Sequence, residues 1–110
     1  MEIAVNDIDD ISVLKIDGML TIGSDQKLAE AFKQLIERGR RKIVLDMTKV
    51  KYIDSLGIGQ IAGGYTSLDE VEGQLVLART NDKIRELLRL TGLQNHIRTY
   101  LTVEDALQEL

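Results

Sequence analysis

A chain of 110 residues with 44% apolar and 29% charged side chains has the size and balance of one folded domain with one core. It carries no Cys, which excludes disulfides, thiolate metal sites and sulfur redox chemistry, and its single residue His96 is a poor basis for any other metal site. A formal net charge of −4 gives no basic footprint for nucleic acid, and neither a basic leader nor a bilayer-length apolar run is read, so the cytoplasm is the expected location.

In chain order, apolar residues alternate loosely over 3–17 (Ile3, Val5; Ile11, Val13, Leu14, Ile16), with Asn6-Asp7 through Asp9-Asp10 as the turn of a predicted β-hairpin. Gly18 and Gly23 bracket an expected loop. Ser24 is placed to cap a helix whose Leu28, Ala31, Phe32, Leu35 and Ile36 recur at helical spacing as far as Gly39. The cluster Arg38, Arg40, Arg41 and Lys42 is read as cations ending that helix, where they offset its dipole.

Ile43-Val44-Leu45 running into Asp46 suits a strand covered on both faces. A second helix is expected from Asp54-Ser55, burying Ile58, Ile61, Ala62, Tyr65 and Leu68, and a strand over 74–78 follows Gly73. Asn81 caps a third helix carrying Ile84, Leu87, Leu88 and Leu90, which Gly92 ends in the left-handed conformation. A short strand over 97–101 comes next. Thr102 and Asp105 have capping-box-like spacing before a closing helix that buries Val103, Ala106, Leu107 and Leu110. The order ββαβαβαβα predicts an α/β fold with a mixed sheet whose parallel strands are joined by right-handed crossovers, in a single domain over 1–110.

Function concentrates in Tyr52-Ile53-Asp54-Ser55-Leu56-Gly57-Ile58-Gly59, where a strand end meets the first turn of the second helix. A helix N-terminus offers unpaired N–H groups and partial positive charge, so a hydroxyl there can carry a phosphoryl group. That group adds roughly 1.5 to 2 negative charges and repels an acidic or apolar partner surface. The plain alternative is that Asp54 or Ser55 only caps the helix.

The segment resembles the Asp-Ser-(Ser/Thr)-Gly-(Leu/Ile)-Gly signature of STAS-domain anti-sigma factor antagonists, standing here as Asp54-Ser55-Leu56-Gly57-Ile58-Gly59. The likeness extends to the hairpin ending in Gly18, to Ile43-Val44-Leu45-Asp46, to Gly73-Gln74-Leu75 and to Leu90-Thr91-Gly92-Leu93. It implies a binding protein and not an enzyme, one that needs no cofactor and no metal. Its expected partners are an anti-sigma factor that is also a serine kinase, and a phosphatase that reverses the mark. The position phosphorylated in the family corresponds to Ser55. Asp54 would position the hydroxyl and the kinase's metal-nucleotide site, while Gly57 and Gly59 would permit close backbone approach. Since the family's first helix starts beside this loop, Thr21, Ser24 and Asp25 join Leu56 as expected partner contacts. Leu56 stands where many members carry a second hydroxyl residue, and the loop preceding Ser24 is less acidic than in many regulatory members.

Two rivals stand beside this reading. Gly57-Ile58-Gly59-Gln60-Ile61-Ala62 matches a dinucleotide fingerprint, but Ala78-Arg79 falls where the ribose-binding acid belongs. The other is a STAS-like scaffold or transporter-associated module without a phosphoswitch. His96 is read as a surface residue, Tyr65 as core, and Lys49 and Lys51 as solvated charges or the border of a docking surface. Gly63 and Gly64 each cost a helix interior roughly 1 kcal/mol relative to Ala unless another helix approaches there.

Overall fold

The computed structural model describes residues 1–21 and 26–110. Two strands, β1 (Glu2–Ile8) and β2 (Ile11–Leu20), form the antiparallel hairpin. Its turn is tighter than the polar run predicted. Asn6, Asp7 and Ile8 stay in the ladder opposite Val13, Ser12 and Ile11, leaving Asp9-Asp10 as the connection. Asp7 is held there by the Ser12 hydroxyl at 2.8 Å and by Arg38 at 2.6 Å.

After the hairpin come α1 (Lys27–Glu37), β3 (Lys42–Ile53), α2 (Ser55–Glu70), β4 (Gln74–Ala78), α3 (Asp82–Thr91), a 3-10 turn (Leu93–Asn95), β5 (Arg98–Tyr100) and α4 (Val103–Glu109). This is the α/β order read from the sequence. The sheet order is β1-β2-β3-β4-β5, with every pairing after the hairpin parallel. Each crossover steps to the adjacent strand in one direction, so a common handedness puts α1, α2 and α3 on one face.

That face holds the main core, with Leu28, Phe32 and Leu35 from α1, Ile58, Ile61 and Leu68 from α2, and Ile84 and Leu88 from α3. They close over Leu14, Ile16, Ile43, Leu45 and Leu77 of the sheet. On the other face Ala106 of α4 covers Ile11, Val13, Val44 and Val76, with Val103, Leu107 and Leu110 half-buried around it. Leu90, expected among the apolar contacts of α3, is instead exposed, because it lies off the Ile84–Leu88 stripe.

The caps follow simple rules. Asn81 Oδ1 accepts from the Ile84 N–H at 2.9 Å, Thr102 Oγ1 from Asp105 at 3.0 Å, and Gly39 and Gly92 end α1 and α3 with φ of +82° and +77°. At the start of α1 the cap position is Gln26, which makes no side-chain capping bond; Ser24 lies outside the described residues. The basic cluster is corrected in its role. Only Arg41 serves the helix end, donating to the Ile36 carbonyl at 3.0 Å. Arg38 pairs with Asp7, Arg40 reaches the Ser12 hydroxyl and the Asp9 carbonyl, and Lys42 pairs with Asp10.

Candidate functional site

The long strands β2 and β3 create the site. Beyond Asp17 on β2 and Asp46 on β3 they lose their outer neighbours and continue as a two-stranded ribbon, pairing Gly18 with Val50, Met19 with Tyr52 and Leu20 with Ile53. The expected loop at Gly18 is therefore strand, with Gly18 at φ +123° beside a bulge; Gly23 lies outside the described residues. On β3 the irregularities change which residues face inward, so Met47, Val50 and Ile53 are buried and the residues between them exposed.

Asp54 leaves the ribbon in extended conformation, its N–H donating to the Leu20 carbonyl, and caps α2. Its Oδ1 accepts from the N–H groups of Leu56 at 3.0 Å and Gly57 at 2.9 Å. One carboxylate oxygen thus satisfies two of the orphan donors of the first turn. Gly57 brings this turn against β2: a Cβ there would lie 2.0 Å from the Leu20 carbonyl oxygen. Gly57 is buried and faces the sheet, so its small size serves internal packing.

Because Asp54 does the capping, Ser55 is released from it. Ser55 is the first residue of α2, exposed, and its hydroxyl makes no hydrogen bond among the described residues. Leu56 beside it is 51% exposed, and the ribbon adds Met19 at 57% and Tyr52 at 54%. Leu56 thus adjoins Ser55 in the first turn of α2, while Met19 and Tyr52 are paired across the end of the ribbon that leads into it. Sequence reasoning missed Met19 and Tyr52 as a pair, because their adjacency follows from a shifted register between two strands.

The remaining candidates divide. Thr21 is half-buried, and its carbonyl accepts from the Gln60 side chain at 3.5 Å, which sets the end of β2 beside α2. Ser24 and Asp25 lie outside the described residues. Gly59 is exposed with open space where its Cβ would be. Lys49 and Lys51 are exposed and enter no ion pair among the described residues. His96 is exposed, with its ring 5.8 Å from that of the half-buried Tyr65.

The dinucleotide fingerprint loses its basis here. The Leu56 and Gly57 N–H groups that would cradle a pyrophosphate are taken by Asp54, and Gly57 is spent on contact with Leu20. No group of three His, Cys, Asp or Glu side chains is placed to hold a metal ion among the described residues. No helix of those residues is long and apolar enough to cross a membrane.

A family model for the STAS domain matches residues 2–106. The chain belongs to the STAS domain family. This STAS domain is 28% identical to the anti-sigma-B factor antagonist of Staphylococcus aureus over 82 residues, 74% of this chain and 76% of that protein. It is similar to the crystal structure of an anti-sigma factor antagonist from Mycobacterium paratuberculosis, with a TM-score of 0.88 and 25% identity over 98% of this chain and 92% of that one. The phosphorylated form of the Bacillus cell fate determinant SpoIIAA has the same fold, with a TM-score of 0.79 and 19% identity over 98% of each chain.

Proposed function

We propose that this STAS domain is an anti-sigma factor antagonist. In this reading it binds a kinase-type anti-sigma factor through the N-terminal face of α2 and is released when that kinase phosphorylates Ser55. The observation that carries the reading is the exposed Ser55 hydroxyl at the helix start, without a hydrogen bond among the described residues and next to the exposed Leu56. Exposed apolar side chains at the ribbon end and at the helix start suit a protein partner. A phosphate on Ser55 costs the bound state both desolvation and repulsion. The resemblance to anti-sigma factor antagonists points to the same partner class.

The chemistry belongs to the kinase. The Ser55 oxygen attacks the γ-phosphorus of ATP, the bond to the β-phosphate oxygen breaks, ADP leaves, and the hydroxyl proton passes to a base of the kinase. Asp54, whose Oδ1 is committed to the cap, holds the backbone of Ser55 in place for that attack. A phosphatase restores the hydroxyl. Sigma-dependent transcription is then controlled without contact between this chain and DNA, as its acidic charge allows.

The test is fragment mass spectrometry of the protein after incubation with ATP, magnesium and the anti-sigma factor kinase of its own host. One phosphate on Ser55, removed by phosphatase, is the expected result. An unmodified Ser55 in a protein that still binds the kinase supports instead a STAS binding module without a phosphoswitch.

A further inference from the structure

The two edges of the sheet are unequal. β5 is three residues long, too short to template another strand. β1 has seven residues, all but Ile3 exposed, and pairs with β2 through an unbroken register without a bulge. Among the described residues no backbone group of this strand bonds anything outside the hairpin. It contains neither Lys nor Pro, two devices by which proteins blunt an open edge. Val5 at 47% and Ile8 at 37% exposure add apolar side chains along it.

We infer that β1 pairs antiparallel with β1 of a second copy of this chain, on a two-fold axis at Val5, joining the two sheets into one. A register centred on Val5 suits this occupant. With Val5 opposite itself, Ala4 faces Asn6, Ile3 faces Asp7 and Glu2 faces Ile8. Each of the strand's two carboxylates then meets an apolar residue and never its own kind, where like charges directly opposed are destabilising. The pleat agrees as well. Ile3 and Val5 lie opposite Ile16 and Leu14 on the α1 side of the sheet, so an axis perpendicular to the sheet keeps both α1 helices on one face. A cleft of about 300 Å³ lies beside Val5, lined also by Lys27, Glu30 and Ala31. The Val5 partner, Leu14, is six residues from Leu20, about 20 Å of strand, so both Ser55 sites stay free in the pair.

Sedimentation equilibrium of the full chain, from low micromolar to millimolar, tests this. The wild type is expected to reach the mass of two chains. Val5→Lys and Val5→Asp, each placing like charges on the axis, remain single chains with unchanged circular dichroism, and mixing the two variants restores the two-chain mass. A wild type that stays single at every concentration, variants that still pair, or a mixture that does not reassociate overturns the inference.

Discussion

Asp54 and Ser55 are both residue types that cap helices, and the fold gives the task to one of them. Asp54, turned back by its bond to the Leu20 carbonyl, reaches two N–H groups, and the Ser55 hydroxyl one step later has no hydrogen bond among the described residues. Asp54→Ala is therefore expected to cost about 1 kcal/mol in chemical denaturation, and Asp54→Ser much less. Ser55→Ala removes no internal bond, so its unfolding midpoint matches the wild type and it keeps binding the anti-sigma factor. Ser55→Asp weakens that binding roughly tenfold or more at an unchanged midpoint. Calorimetric titration checks both, and equal affinities would count against the switch. At this scale the sequence carried a great deal: the Asp-Ser pair marked the start of α2, where the candidate site lies. It did not reveal which residue caps, because that depends on where Leu20 ends.

At the scale of the element, α2 contains four glycines with different reasons for being there. Gly57 meets the Leu20 carbonyl, and a Cβ on Gly64 would lie 2.2 Å from the Phe32 ring, so α1 and α2 approach closely at that point. Gly59 and Gly63 face open space. Close approach thus explains Gly64 and leaves Gly63 without a packing role. Gly63→Ala is expected to raise stability by about 1 kcal/mol through helix propensity. Gly64→Ala is expected to lower it by about 1 to 3 kcal/mol through overpacking, both read by denaturant midpoints. β3 shows why element ends were hard to read. Its run as far as Asp46 is continuous and legible, but its bulged half buries Met47, Val50 and Ile53 at a spacing of three, a period that signals neither a regular strand nor a helix by itself.

Over the whole molecule, charge ties the first hairpin to the end of α1. Asp7 is held below its ordinary value by the Ser12 hydroxyl first and the Arg38 side chain second, and Asp10 by its hydrogen bond to Lys42. Both carboxyls are depressed in the folded state. Their contribution is therefore fully present above the ordinary value of 3.8 and is lost as pH falls through the lower folded values. Melting temperature should show no change from this pair between about pH 5 and 8, then fall below pH 3.8, and the acid-limb fall should shrink in Asp7→Asn and Asp10→Asn. The network also explains the basic cluster over 38–42, whose cations are directed largely at the hairpin's acids.

By itself the sequence determined the element order, the strand over 74–78, the caps at Asn81 and Thr102, the glycine stops and the position of Ser55. These follow from local periodicity and from backbone groups that must be paired within a few residues. The tertiary structure alone decided the ribbon beyond Asp46, the pairing of the exposed Met19 and Tyr52, the inward role of Gly57 and the destination of the arginines. Each of those depends on residues brought together from distant parts of the chain, where strand register and helix approach, not local propensity, set what a side chain meets.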